Sequence, residues 1–247
     1  MGPWRLEVLR LWRTRRLIAL AGTFLILGLG IPVLTYYLPE IVKNTASGVQ
    51  ITVPKQTAAD SIASFASNVG QLGALVVVVV AAASLAIDAN PDLATFYRTR
   101  VHRSTRLVLP RYLVVTAASV LALALGTLGA WYETAVLFGP ISARALMAGL
   151  ATQALWFCFV TAIVAVVASV IRGVLGVVGT PISLLLGLGL LGNLPGASTW
   201  LPTRLAGSGA DFIQHATDGL WQAIAVTVVA TAAAVGLATH RLGQRRR

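Results

Sequence analysis

Charged residues are scarce in this chain, and acidic ones are the scarcer kind. Of its 247 residues 11% are charged, with 8 Asp or Glu against 19 Lys or Arg, whereas an average soluble domain carries roughly 25% charged residues. This scarcity excludes an ordinary soluble protein and, with 57% hydrophobic residues, indicates a polytopic membrane protein. The single cysteine, Cys158, lies in an apolar run, so we expect no internal disulfide and interpret it as a small hydrophobic residue.

Motifs for catalysis and for energy conversion are also missing. No Asp, Glu, Lys or Arg lies near the middle of a long apolar run, which argues against a proton- or ion-driven carrier because such groups mark ion paths. The chain has no Gly-x-x-x-x-Gly-Lys-Ser/Thr loop, no His-Glu-x-x-His and no Gly-x-Ser-x-Gly, and its 3 histidines lack ligand spacing. We therefore expect no catalytic residue, no metal site and no cofactor in this chain, and an integral-membrane enzyme is disfavoured.

Six apolar runs are long enough to cross roughly 30 Å of hydrocarbon. They lie at about 17–38, 69–87, 112–131, 145–171, 174–191 and 220–239. The sequence thus predicts an all-α integral membrane protein with six transmembrane helices over 17–239. Only a short turn at Arg172 and Gly173 separates the fourth run from the fifth, since the two together are far too long for one crossing.

Basic residues mark one side of the predicted bundle. Five arginines precede the first span, five lie between the second and third, one follows the fourth and four end the chain, against four basic residues on the other side. Because Lys and Arg favour the cytoplasm, both termini are predicted to be cytoplasmic, with residues 240–247 as a basic tail. The net charge of +11 is then explained by the orientation of the spans in the membrane, and we expect no nucleic acid partner.

The N-terminal segment, residues 1–16, has the pattern of an amphipathic helix. Trp4, Val8, Leu11 and Trp12 fall at i, i+4, i+7 and i+8, which is one helical stripe. Most of the arginines lie away from it. This pattern predicts an interfacial helix on the inner leaflet. A simple topological anchor that touches only lipid is an equal alternative.

The cytoplasmic insert between the second and third spans is unusually long and polar. It opens with an N-cap residue, a proline suited to the first helical position and an acid suited to the positive helix end. These are Asn90, Pro91 and Asp92. Leu93, Phe96 and Tyr97 then fall at i, i+3 and i+4, a compact apolar knob that suits a groove on a partner protein. A basic loop that lies on anionic lipid and sets orientation is an equal alternative.

The outer side holds two longer connections. Residues 39–70 are predicted to be a loop with an extended piece at 48–54, and residues 193–213 form a semi-apolar, interrupted stretch. We favour a re-entrant element for the second, with an ordinary surface loop as the alternative. The few polar groups within spans, such as Thr152, Gln153 and Thr161, are expected to hydrogen-bond between helices. Walls of Leu, Val, Ala and Phe suit a hydrophobic or amphipathic cargo.

The whole arrangement resembles the permease subunits of type-2 ABC exporters, the drug- and antibiotic-efflux group. The resemblance covers nearly the whole chain. It rests on residues 7–13 before the first span, on residues 107–112 at the end of the insert, on Trp200-Leu201-Pro202 before the last span, and on the basic tail after six spans.

The resemblance implies the permease subunit of an ATP-driven exporter in the plasma (inner) membrane, moving a hydrophobic or amphipathic drug, antibiotic, peptide or lipid. It implies three partners besides the bilayer itself: two copies of a cytoplasmic ABC ATPase, which bind ATP and Mg, and a second permease chain, identical or paralogous. Region 90–106 would be the coupling helix. The residues that it would place against the ATPase are Asp92, Leu93, Phe96, Tyr97, Arg98 and Arg100. The alternative is a membrane protein that uses no ATP and acts as a facilitator or as an assembly or anchoring factor.

Overall fold

The computed structural model describes residues 3–45, 56–86, 105–171, 173–194, 196–214 and 217–244, and these ranges contain helices and turns but no strand. The helices are α1 (Pro3–Arg13), α2 (Arg16–Thr45), α3 (Ala58–Asn68), α4 (Ala74–Leu85), α5 (Thr105–Leu137), α6 (Ala143–Val170), α7 (Val174–Leu191) and α8 (Leu220–Gln244). A π turn at Val69–Gly73 joins α3 to α4, and two short 3₁₀ turns lie at Pro202–Ala206 and Ser208–Ala210.

Six helices in the described ranges are long and apolar enough to cross a membrane. They are Arg16–Lys43, Ala58–Leu85, Val108–Leu137, Ala143–Val170, Val174–Leu191 and Leu220–Leu242. The all-α prediction with six spans is confirmed. We name the two ends of the bundle inner and outer after the predicted orientation, which itself stays a prediction.

The predicted outer loop at 39–70 is wrong at both of its ends. Helix α2 continues through Pro39 to Thr45, and the second span begins at Ala58 rather than near 69. A capping box starts it: the Thr57 hydroxyl accepts from the Asp60 amide, and the Asp60 carboxylate accepts from the Thr57 amide at 2.9 Å. The predicted extended piece at 48–54 lies outside the described residues.

The C-terminal boundary also differs from the prediction. Helix α8 runs to Gln244, past the predicted end of the last span at 239. The first residues of the predicted basic tail, up to Gln244, are therefore helical.

Helix α6 is the central helix of the bundle and packs against α4, α5, α7 and α8. Phe157 on α6 is fully buried and meets Phe24 of α2 edge to face, with ring centroids 5.5 Å apart. Of the six spans, α7 is the most peripheral, since only Val177 and Pro181 of its residues are buried. The core thus lies around α6, and α7 leaves most of its surface uncovered within this chain.

Helices α2 and α5 cross at backbone contact. A Cβ added to Gly28 would overlap the carbonyl of Gly126, and one added to Gly126 would clash with the carbonyl of Phe24. Small residues permit such close approach between membrane helices. By contrast, Cβ atoms added at Gly179, Gly187 and Gly189 of the glycine-rich fifth span would meet nothing within 4 Å.

Candidate functional site

The six predicted ATPase-contact residues lie outside the described residues. They are Asp92, Leu93, Phe96, Tyr97, Arg98 and Arg100. The structure does describe both flanks of this insert, the inner end of α4 and the start of α5, together with the N-terminal helix beside them. These two flanks and α1 together form the inner-side site.

Helix α1 contacts the protein with one part of its predicted stripe. Leu11 is buried at 5% exposure and belongs to the core, whereas Trp4, Val8 and Trp12 are exposed at 48%, 55% and 71%. The three exposed residues follow one another at i, i+4 and i+8, so they still form a continuous apolar line along the helix. An anchor that touches only lipid is thus excluded, and the exposed line remains free to meet lipid.

A charged pair fixes α1 to the third span. The Nε of Arg111 donates to Glu7 Oε1 at 2.8 Å, and their side chains are only 3% and 13% exposed. A buried guanidinium needs an anionic or hydrogen-bonding partner, because desolvation of an uncompensated charge is costly. This contact joins residues 104 positions apart and holds α1 beside the inner end of α5.

A second basic side chain holds the end of the second span. Arg16, the first residue of α2, donates through Nη1 to the Ala83 carbonyl and to Ser84 Oγ, both at 3.0 Å. Ala83 is among the last four residues of α4, whose carbonyls lack intrahelical donors. Basic side chains commonly satisfy such carbonyls, so Arg16 completes the C-terminal end of α4.

Together these contacts hold both flanks of the insert against one short stretch of chain. Arg16 holds the helix that leads into the insert, and Glu7 holds the helix that leads out of it. Between them, Arg15 has φ of 57°, the left-handed region that few non-glycine residues adopt. This residue forms the bend between α1 and α2.

Sequence reasoning counted Arg16 and Arg111 as topology markers and missed these contacts. The available signal was Glu7, the only acid among the first sixteen residues. A lone acid in a basic segment suggests a specific partner, but a single sequence does not say which arginine it binds.

On the outer side, α6 presents polar side chains to carbonyls of other elements. Gln153, 2% exposed, donates through Nε2 to the carbonyls of Ala66 at 2.7 Å and Ala206 at 3.1 Å. Trp156 Nε1 donates to the Gly70 carbonyl, inside the π turn, at 3.1 Å. Gln153 thus links the second span to the connection between α7 and α8, as its predicted interhelical role required.

That connection packs into the bundle rather than over it. Ser208 Oγ donates to Thr152 Oγ1 at 2.9 Å, and a Cβ on Gly149 would overlap the Gly209 carbonyl. Gln153 lies about 15 Å along α6 from its outer end, so Ala206 sits well below that end. Residues 202–210 therefore pack against the spans rather than over their ends, and the re-entrant element at 193–213 stays a prediction.

Comparison with known proteins agrees with this architecture. The chain is 24% identical over 213 residues to the uncharacterized transmembrane protein YxlG of Bacillus subtilis (strain 168), covering 85% of this chain and 83% of that protein. This chain is a multi-pass membrane protein. No family model matches it. Within the described ranges, no group of three or more His, Cys, Asp or Glu is placed to hold a metal ion.

Proposed function

We propose that this chain is the transmembrane permease subunit of an ATP-driven ABC exporter in the plasma membrane. The observation that carries the proposal is the inner-side arrangement, in which Arg16 and the Glu7–Arg111 pair hold both flanks of the insert. A loop that only turned between two spans would need no such support. A segment that receives force from a partner would need it, because force is passed on only through fixed attachments.

The energy source in this proposal is a separate protein. Among the residues whose side chains the structure describes, Arg111 is the one charged residue buried below a tenth exposure, and it lies at the inner end of α5 rather than along a path through the bundle. Two copies of a cytoplasmic ABC ATPase would bind ATP and Mg. A second permease chain, identical or paralogous, would complete the transporter for a hydrophobic or amphipathic substrate.

The mechanism follows from the connectivity. Leu93, Phe96 and Tyr97 would insert into a groove of the ATPase, and closure of the ATPase pair would displace the insert. The displacement would pass through α4 and α5, and with them α1, as a rigid-body movement. The six-span bundle would then exchange between inward- and outward-open states, whose populations nucleotide binding shifts.

The test is association with the protein encoded beside this chain, which the proposal expects to be an ABC ATPase. Phe96→Asp combined with Tyr97→Asp is expected to abolish co-purification of the ATPase and ATP-dependent transport in proteoliposomes, because two carboxylates replace the apolar knob. The matched control combines Leu194→Asp with Trp200→Asp, two exposed apolar residues on the outer side, and should leave association unchanged.

Unchanged ATPase association in the Phe96→Asp, Tyr97→Asp variant would refute the assignment of the insert as the coupling element. Absence of ATPase association in the unaltered chain would refute the exporter itself and favour the facilitator or assembly-factor alternative.

A further inference from the structure

A cavity of about 840 Å³ opens on the outer half of the bundle. It lies between the π turn, the start of α4, the outer half of α7 and the connection that follows α7. Small-molecule sites in proteins commonly enclose roughly 300–1,000 Å³. The cavity is therefore large enough for a ligand.

The walls of the cavity change character along the membrane normal. Leu75, Trp156 and Ile182 line its deeper part, whereas Asn193 and Arg204 line its outer part. Along α7, Ile182 and Leu190 lie roughly 12 Å apart, and apolar side chains cover this distance. Most of the cavity wall is thus apolar, which suits an acyl chain, and the charged groups lie at the end next to Asn193, with Gln71 of the π turn as a further polar group in the wall.

The polar end carries one charge of each sign. Arg204 Nη2 lies 3.3 Å from Asp211 Oδ2, with the two side chains 34% and 13% exposed. Burial raises the pKa of the Asp211 carboxyl, and the positive charge of Arg204 opposes this. Both side chains line the cavity. A ligand here therefore meets a cationic and an anionic group side by side.

We propose that this cavity binds a zwitterionic phospholipid of the phosphatidylethanolamine type. The phosphate faces Arg204, the ammonium faces Asp211, and an acyl chain lies along α7 towards Ile182. A purely anionic head would be repelled by Asp211 and a purely cationic one by Arg204, and such like-charge contacts oppose binding. The bilayer that surrounds the chain supplies this ligand. The site needs no ATPase, so the proposal stands or falls separately from the exporter assignment.

Lipid selectivity of the unaltered chain is the first test. The purified chain in neutral detergent is mixed with equal amounts of phosphatidylethanolamine, phosphatidylglycerol and diacylglycerol with matched acyl chains, and bound lipid is counted by native mass spectrometry. We expect about one phosphatidylethanolamine per chain, bound at least tenfold more tightly than the other two. Equal binding of all three lipids would overturn the proposal, because it would show nonselective lipid around the helices.

Two glycines of α7 give a matched pair of variants. A Cβ at Gly189 or at Gly187 meets nothing within 4 Å, so both positions accept a larger residue, but only Gly189 lines the cavity. Gly189→Leu is expected to reduce phosphatidylethanolamine binding at least tenfold, and Gly187→Leu to leave it unchanged. Equal binding by both variants, at unchanged melting temperature, would place the lipid elsewhere.

Charge variants test the orientation of the head group. Asp211→Asn should remove the preference for phosphatidylethanolamine over phosphatidylglycerol, because the repulsion of the anionic head disappears while Arg204 remains. Arg204→Gln should weaken the binding of both phospholipids. Arg144→Gln, an exposed arginine on the outer side, is the control and should change neither. Retained selectivity in Asp211→Asn would refute the assigned contact with the ammonium.

Discussion

Replacing Gln153 by methionine tests the link between α6, the second span and the 202–210 connection. Methionine has a similar length and volume, and swaps that conserve volume usually cost little through packing alone. The substitution removes the two hydrogen bonds from Nε2 to the carbonyls of Ala66 and Ala206. At 2% exposure, water does not reach the site to replace them.

The expected loss of stability follows from these two bonds. Interhelical hydrogen bonds in a membrane protein contribute about 0.6 kcal/mol on average and at most about 1.7 kcal/mol. Two of them give roughly 1–3 kcal/mol. For a chain of this size each kcal/mol shifts the melting temperature by roughly 2–4 °C. The melting temperature of Gln153→Met should therefore be roughly 2–12 °C lower than that of the unaltered chain.

Thermal unfolding in detergent, followed by tryptophan fluorescence, measures this shift. Thr161→Val is the control, because the Thr161 hydroxyl is equally buried but donates only to Phe157 of its own helix. Limited proteolysis gives a second readout, since the 202–210 connection should become cleavable in Gln153→Met alone. A melting temperature within 1 °C of the unaltered chain, with no new cleavage, would refute the reasoning.

Two further predictions concern the helix contacts on the inner side and at the α2–α5 crossing. Glu7→Ala removes the carboxylate that binds Arg111, so α1 should detach from α5. The measurement is tryptic cleavage after Arg13, which should be at least fivefold faster than in the unaltered chain. An unchanged rate would contradict the inference that this pair holds α1 against α5. Gly126→Ala places a methyl group against the Phe24 carbonyl and should lower the melting temperature by several degrees. Gly30→Ala, at a position with open space around it, is the control and should leave the melting temperature unchanged. Equal effects of the two substitutions would refute close packing at the crossing of α2 and α5.

The sequence predicted the number and type of the membrane helices because apolar length is a local property. It misplaced the start of the second span because Asp60, Ser61 and Ser64 interrupt the apolar run. The structure shows why they are tolerated: Asp60 belongs to the capping box, and Ser61 Oγ is buried 3.0 Å from Thr134 Oγ1 of α5. A polar residue that is satisfied by another helix looks the same in sequence as one that faces water.

The inner-side contacts were beyond the sequence for a related reason. Arg16 and Ala83 are 67 positions apart, and Glu7 and Arg111 are 104 apart. Charge counts depend on how many arginines lie on a side, so they say nothing about which arginine bonds to which group. The hydrogen bonding of Gln153 was easier to predict, since an amide inside an apolar helix must find a partner. The sequence did not show which groups those partners are.

The π turn in the second span changes the angular phase of that helix. Buried residues recur every four positions through it, at Ser61, Phe65, Val69, Gly73 and Val77. In a regular α-helix a four-residue repeat drifts by about 40° each time, so these residues would wind away from the neighbouring helices. The wider turn at Val69–Gly73 absorbs part of this drift. The buried face of this span therefore winds less than that of a regular α-helix, and removing a single residue from the turn would rotate its outer half by about 100° against its inner half.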